Sequence, residues 1–340
     1  MTSEPLHLLI TMPFTEAQIE QIRSVSPRLK VTAMRAHQPN EVPDEIWSKT
    51  NILYTDSVLP EPTQAPNLKW IQFHYTGIDY AIKKPIMEKP GLIATTMSGA
   101  NAPQMAEYAL TMMLVLGANV KGMIENQTKS HWPDKRWEHY KHHELRGSTV
   151  GLIGYGSINR EVARLLIPFQ VTVLAAKRDL KQIKDEGYIP AGTGDPEGDF
   201  FTRLYPIEAM KSMLKECDFV VVAVPLTPAT RNLISTEEFA AMKPTSYFID
   251  LSRGGITDLT ALKEALDKKL IAGAAVDVFP EEPLVATSPL WKTPNFLVSP
   301  HVGGVSPHYN ARAVDLFCTN INRFLENVPL FNRFDPEKGY

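Results

Sequence analysis

The stretch STVGLIGYGSINREVARLLIPFQVTVLAAK, residues 148–177, decides the fold. A short apolar run leads into Gly154-Tyr155-Gly156, a helix-patterned segment follows as far as Pro168, and a second apolar run ends on Lys177. Strand, glycine turn, helix and strand make the opening unit of a doubly wound parallel sheet. In that setting Gly154 permits the tight turn, and Gly156 lets the backbone N–H groups of Tyr155, Gly156, Ser157, Ile158 and Asn159 approach a pyrophosphate at the positive end of the helix. Asn159 stands where the fingerprint expects its third glycine. That glycine serves helix-to-strand packing, so the change predicts looser packing with the phosphate site retained. A site for NAD usually places an acid at the end of the second strand to hold the ribose 2′-hydroxyl. Here that end reads Ala176-Lys177-Arg178. Two cations suit a 2′-phosphate, so the sequence favours NADP (NADPH) over NAD, against the plainer reading of two solvated charges at a strand end.

Downstream, three apolar runs each end on a polar residue: SYFIDLSRGG (246–255) on Arg253, IAGAAVDVFPEEPL (271–284) on Glu282, and NFLVSPHVGG (295–304) on His301. The helix-patterned TDLTALKEALDKKL (257–270) separates the first two runs, which implies parallel pairing. In an open α/β sheet such strand ends converge on one crevice. A guanidinium, a carboxylate and an imidazole gathered there can hold a carboxylate substrate and move a proton. Imidazole exchanges protons near neutral pH, a carboxylate on its far nitrogen favours the protonated ring, and the planar guanidinium fork grips a carboxylate in a way lysine cannot. Taken singly, each residue reads as a cap or a surface side chain. Their recurrence after consecutive strands points to catalysis.

Upstream, LHLLITM, LKVTAM, NILYTD, LKWIQFHY and LIATT alternate with helical patterns such as TEAQIEQIRSV, the rhythm of a flavodoxin-like α/β domain. SGANAP (98–103) breaks the chain, and MAEYALTMMLVLGANVKGMIEN beyond it is apolar over most of its circumference, as a helix buried between domains or at a subunit contact would be. The second domain is expected to hold six strands: STVGLIGYG, VTVLAAK, DFVVVAVPL, SYFIDLS, AGAAVDV and NFLVS. Residues 179–205, with TGDPEGD, read as a surface insertion. The helical segment after His301 is expected to return to the first domain. The expected division is a substrate domain from residues 1–101 and 305–340, with a Rossmann dinucleotide-binding domain of residues 102–304 inserted into it.

Composition narrows the function. The 340 residues are 44% hydrophobic and 21% charged, and 35 basic against 38 acidic side chains give a net charge of -3, with no footprint for nucleic acid or anionic membrane. The two cysteines lack a partner motif, and the N-terminus MTSEPLHLLITMPF lacks a basic region followed by a long apolar core, so a cytoplasmic protein is expected. WPDKRWEHYKHHEL carries His139, His142, His143 and Glu144 without zinc spacing, and no metal is expected there.

VGLIGYGSINREVA, VVVAVPLTPATRNLI, DLSRGG, AAVDVFPEEPL and SPHVGG, in this order and spacing, resemble the D-isomer-specific 2-hydroxyacid dehydrogenase family from about residue 50 to 325. The resemblance implies that Arg253 binds the substrate carboxylate and keto oxygen, that His301 is the acid–base and that Glu282 pairs with it. It implies a cofactor site that adds Val224, Pro225, Leu251, Ser252, Arg253, Asp277, His301 and Gly303 to the phosphate loop, with Asp277 on the nicotinamide amide. In HYTGID, the N–H groups of Tyr75, Thr76 and Gly77 would grip the carboxylate, and Gln104-Met105-Ala106-Glu107 would open the helix used in family homodimers. Trp132 and Trp137 would pack in the interior or cap a partner's cleft. The implied activity is NAD(P)H-dependent reduction of a small 2-keto acid to the D-2-hydroxy acid, with an echo of NADPH-preferring glyoxylate and hydroxypyruvate reductases. The alternatives on the same fold are a non-catalytic NAD(P)-sensing interaction protein and a phosphite-type dehydrogenase. Formate is disfavoured, because Glu282 stands where those enzymes are expected to carry an amide.

Overall fold

In the computed structural model, which describes residues 4–340, the chain divides into two compact units. Unit 1 comprises residues up to Asn101, Glu186–Pro190 and Ser306–Tyr340; unit 2 comprises Ala102–Asp185 and Ala191–Val305. Met1–Ser3, the first residues of the segment read as leaderless, lie outside the described residues.

Unit 1 is a five-stranded parallel sheet built from β1 (Leu6–Ile10), β2 (Leu29–Ala33), β3 (Ile52–Thr55), β4 (Trp70–Phe73) and β5 (Ile93–Thr95) in the order β2-β1-β3-β4-β5. β3 and β4 are buried at every position, so their near-continuous apolar runs follow from helices covering both faces. Helix α1 (Glu16–Ser24) starts at a capping box in which Thr15 and Gln18 exchange bonds, and α2 (Asp44–Lys49) follows β2. The C-terminal helix, Tyr309–Leu325, packs along α1 and buries Phe317 against Tyr54 and Trp70. Glu186–Pro190 groups with this unit although it lies inside the 102–304 stretch. The Tyr188 ring packs on that core and its hydroxyl donates to Asp315 Oδ2 at 2.6 Å.

Unit 2 opens with α3 (Ala102–Gly117), α4 (Val120–Thr128) and the single turn α5 (Arg136–His139). The apolar segment expected as one helix is therefore broken. Asn119, at φ +51°, caps α4 with its side chain on Gly122 N, and a Cβ on Gly117 would sit 2.6 Å from the His143 carbonyl. Helix α3 packs on α6 and against the sheet, which accounts for its apolar circumference. The sheet runs β6 (Thr149–Ile153), α6 (Ser157–Leu166), β7 (Thr172–Lys177), β8 (Arg203–Pro206), α7 (Met210–Leu214), β9 (Phe219–Val222), α8 (Thr236–Ala241), β10 (Tyr247–Asp250), α9 (Leu259–Asp267), β11 (Gly273–Val276) and β12 (Phe296–Val298), which makes the C-terminal helix α10. The strand order is β12-β11-β10-β9-β6-β7-β8, all parallel.

Seven strands stand where six were expected. The extra one, Arg203–Pro206, ends the stretch read as insertion and pairs with β7 at the sheet edge. Its four residues, half of them polar or proline, carry too little hydrophobic pattern to announce a strand, and an edge position tolerates the proline. The chain reverses its direction of travel across the sheet at β6, between β7 and β9, so the crevice at the carboxyl ends of β6 and β9 is the position for a dinucleotide.

Candidate active site

The turn after β6 is built as its glycines predict. Gly154 has φ +84°, and a Cβ there would lie 2.5 Å from the Ala223 carbonyl oxygen and from Val224 Cγ1 at the end of β9. Only glycine fits. Gly156 differs, because a Cβ there would meet nothing within 4 Å, so the fold does not require its bareness. It leaves the N-terminus of α6 open, with no side chain capping the first turn. A pyrophosphate fits that opening. When a reduced nicotinamide dinucleotide is bound, it supplies a hydride.

Two side chains of this loop turn inward, and the second corrects an expectation. Tyr155 is 2% exposed and its hydroxyl donates to Asp195 Oδ2 at 2.6 Å, so its side chain turns inward. Asn159 does not loosen the packing. It is completely buried, and its amide donates to the carbonyls of Ile153 and Gly154 at 3.1 and 2.9 Å, so the side chain ties the turn to the helix. Ser157 and Ile158 are half-buried on the first turn of α6; after β9, Val224 is half-buried and Pro225 is exposed. At the end of β7, Lys177 is half-buried with its ammonium on the Gln182 carbonyl, and Arg178 is exposed.

At the ends of β10, β11 and β12, the three loops hold one another. Asp250 is 1% exposed, and its Oδ1 accepts from Ser252 N at 2.9 Å and from the Ser252 hydroxyl. Its Oδ2 accepts from Thr257 Oγ1 at 2.5 Å. Burial pushes this carboxyl up, and the hydrogen bonds from Ser252 and Thr257 oppose the push. The DLSRGG loop is thereby wound around a buried acid, with Leu251 and Ser252 inside and Arg253 half-buried, its guanidinium donating to the Ser252 carbonyl at 2.7 Å. Gly254 lies so close to the Phe279 carbonyl that no side chain could be added. That contact seats the Arg253 loop against the loop carrying Glu282.

Glu282 is held from both sides. Its Oε1 accepts from Phe279 N at 2.8 Å and its Oε2 lies 2.8 Å from His301 Nδ1. The His301 side chain is 45% exposed, and its other ring nitrogen is not part of the pair. His301 sits at φ +55°, a left-handed conformation that a non-glycine residue keeps only under constraint. Asp277 supplies the constraint. This 2% exposed carboxylate accepts from Ser299 Oγ and from Val302 N on one oxygen, at 2.5 and 2.9 Å, and from Gly303 N at 2.9 Å on the other. Ser299 in turn receives the Tyr108 hydroxyl of α3, and Gln104 Nε2 donates to Gly304 O at 2.9 Å.

In unit 1, Tyr75, Thr76 and Gly77 follow β4. Among the described residues, none accepts a hydrogen bond from their backbone N–H groups. Three consecutive N–H groups are thus left as donors at the end of β4. The turn is braced by Thr76 Oγ1 on Asn101 Oδ1 at 3.4 Å and by Met97 N on the Tyr75 carbonyl at 3.3 Å.

The sequence brought out Arg253, Glu282 and His301 but missed their braces, Asp250, Thr257, Ser299 and Tyr108. Asp250 was visible inside DLSRGG as an acid ending an apolar strand, an expensive place for a charge without donors. Tyr108 and Ser299 carried no signal, since they meet only through the fold. Among the described residues no group of three or more His, Cys, Asp or Glu is placed to hold a metal ion. His143 instead lies edge-on to the rings of Phe219 and Tyr247. No helix among the described residues is long and apolar enough to cross a membrane.

A bare phosphate-binding turn at the switch point of a parallel sheet, with an Arg, Glu and His set at its strand ends, defines an NAD(P)-dependent oxidoreductase acting on the CH–OH group of 2-hydroxy acids. The chain belongs to the D-isomer-specific 2-hydroxyacid dehydrogenase family: residues 110–303 match the model of that family's NAD-binding domain. It is 32% identical over 272 residues to a glyoxylate reductase of Thermofilum pendens, which covers 79% of this chain and 76% of the relative. The fold matches a D-isomer-specific 2-hydroxyacid dehydrogenase family protein of Aeromonas salmonicida, with TM-score 0.76, 25% identity and coverage of 98% and 100% of the two chains. It also matches an NADPH-dependent glyoxylate/hydroxypyruvate reductase of Sinorhizobium meliloti, solved with NADP and sulfate, with TM-score 0.76, 23% identity and coverage of 98% and 100%.

Proposed function

We propose that this protein reduces a small 2-keto acid of the glyoxylate or hydroxypyruvate kind to its D-2-hydroxy acid, with NADPH preferred over NADH. The observation that carries the reading is the Glu282–His301 pair at 2.8 Å, in the unit that also presents Arg253. Arg253 binds the substrate carboxylate and polarises the keto carbonyl. His301 delivers the proton to the keto oxygen, and Glu282 orients the ring through Nδ1. Asp277 keeps the His301 loop in its strained conformation, a role in place of, or added to, the expected contact with a nicotinamide amide. The N–H groups of Tyr75, Thr76 and Gly77 are assigned to the substrate carboxylate.

Lys177 and Arg178, standing where an acid would hold the 2′-hydroxyl of NAD, support the NADPH preference. The Sinorhizobium structure holds NADP, and the Thermofilum relative is named for glyoxylate. The same reading makes the protein a cytoplasmic homodimer, with both cysteines free and α3 near the subunit contact.

The test follows nicotinamide absorbance with NADPH and NADH against glyoxylate, hydroxypyruvate, pyruvate and phenylpyruvate, alongside His301→Ala. Turnover that favours NADPH and vanishes in the variant supports the reading. Dinucleotide binding without turnover of any of the four acids overturns the substrate assignment and turns attention to a sensor or a different acid.

A further inference from the structure

The stretch after β7 was expected as a surface insertion, yet its parts in unit 2 are bolted to the helix that presents the phosphate site. Asp195 is 1% exposed and both of its oxygens are used. Oδ1 accepts from Gly198 N and Asp199 N at 3.0 and 2.8 Å, and Oδ2 accepts from Phe200 N at 3.0 Å and from the Tyr155 hydroxyl at 2.6 Å. Tyr155 is the residue between the two glycines of the phosphate turn.

Arg160, one turn along α6, is also 1% exposed. Its guanidinium donates to the carbonyls of Asp195 and Ile183, lies 3.7 Å from Asp185 Oδ2, and sits 4.9 Å from the centre of the Tyr155 ring. Its neighbour Glu161, 2% exposed, accepts from Gly194 N at 2.5 Å and takes a two-pronged bond from Arg164. An arginine and a glutamate buried side by side in a helix cost several kcal/mol unless partners satisfy them, on the order of what a lone buried ion loses. Here the insertion's own backbone supplies those partners. The phosphate helix and the insertion are therefore one built object, and the same insertion receives the Lys177 ammonium on the Gln182 carbonyl.

We infer that the Tyr155–Asp195–Arg160 lock makes residues 179–185 and 191–202 a working wall of the dinucleotide site, with Asp195 and Tyr155 as positioning residues. The lock sets the phosphate turn and holds the Lys177-Arg178 strand end for the adenosine half of the cofactor. This rests on the dinucleotide reading above and deepens it, because it says what positions the cations that select the 2′-phosphate.

The test titrates wild type, Tyr155→Phe and Asp195→Asn calorimetrically with NADPH, NADH and adenosine 2′,5′-bisphosphate, which carries the 2′-phosphate but no nicotinamide. Thermal unfolding of each variant is recorded in parallel. Tyr155→Phe removes one hydroxyl and keeps the ring, so it is the variant that keeps the test open if Asp195→Asn does not fold. The expected result is a Kd for adenosine 2′,5′-bisphosphate and for NADPH weakened by roughly tenfold, the size of one hydrogen bond to a charged group. KM for NADPH should rise with it, while kcat at saturating cofactor stays within about twofold. A lowered Tm with unchanged Kd values for all three ligands overturns the inference, since a merely structural brace behaves that way. Wild type that binds NADH as well as NADPH overturns the NADPH preference alone; the lock then stands if both variants weaken the NADH Kd by roughly tenfold and falls if they leave it unchanged. Wild type that binds neither dinucleotide sinks the cofactor reading and the lock together, whereas wild-type binding with unaffected variants sinks the lock alone.

Discussion

Two histidines stand just beyond the carboxyl ends of parallel strands, one in each unit, and their surroundings make them opposites. His74, after β4, is 3% exposed; its Nδ1 meets the Tyr54 hydroxyl at 2.7 Å, and the rings of Phe14, Tyr54, Tyr75 and Tyr309 pack around it. Burial pushes its imidazole down to about 4, so at neutral pH it is an uncharged piece of the core. His301, after β12, is half-exposed and bonded to a carboxylate. The same residue type after the same kind of element is a buried wedge in one place and, in the other, an exposed ring held by a carboxylate, as the proposed proton carrier would be. Strand-end position nominates a histidine, and only its partner and its exposure assign the role.

The largest effect expected from this contrast is on catalysis. His301→Ala should lower kcat/KM by roughly 10²–10⁴-fold, the range for removing a general acid, with dinucleotide affinity kept. His74→Gln should leave kcat within about tenfold, since that ring touches no reacting group. Equal losses in the two variants, measured by steady-state kinetics, would break the contrast. Arg253→Lys keeps the charge and loses the fork. It is expected to cost roughly 10²–10³-fold in kcat/KM for the keto acid, with both KM and kcat affected. A change confined to KM would restrict Arg253 to ground-state binding.

Glu282→Gln should come next, at roughly 10- to 100-fold. The carboxylate holds the ring through Nδ1, so the deficit should fall on kcat, with KM for NADPH little changed. A loss confined to KM would remove Glu282 from the orientation of the ring.

The remaining two predictions concern stability and reactivity. An unfolded histidine takes up a proton below about pH 6.5, and folded His74 does so only near 4. The stability it contributes is present above pH 6.5 and is lost as pH falls toward 4, about 3 kcal/mol in all. Urea unfolding of wild type should show that loss, and His74→Gln should lack it. The smallest effect belongs to the thiols. Burial pushes Cys217 and Cys318 up to about 12, so iodoacetamide at pH 8 should label the folded protein more than roughly tenfold more slowly than the urea-unfolded chain.

Much of this was legible in the chain. The apolar runs from LHLLITM to NFLVS became strands because parallel sheets bury both faces, and a buried strand must be apolar throughout. Gly154 declared a left-handed turn that no other residue could occupy, and Arg253, Glu282 and His301 declared themselves as polar residues closing apolar runs. β8 was illegible because an edge strand of four residues needs little hydrophobic pattern. The break at Asn119 was hidden inside a continuous apolar stretch.

Local pattern and backbone sterics were enough to give most of the strands, the glycine turn after β6 and the polar residues that close the apolar runs. The tertiary structure alone decided that Asp277 braces the His301 loop, that Asp250 winds the Arg253 loop around itself, and that Asn159 and Tyr155 turn inward. Each of those assignments depends on which hydrogen-bond partners surround a buried polar atom. The partners lie as far off as 40 positions between Tyr155 and Asp195 and 191 positions between Tyr108 and Ser299, separations at which a linear pattern carries no information.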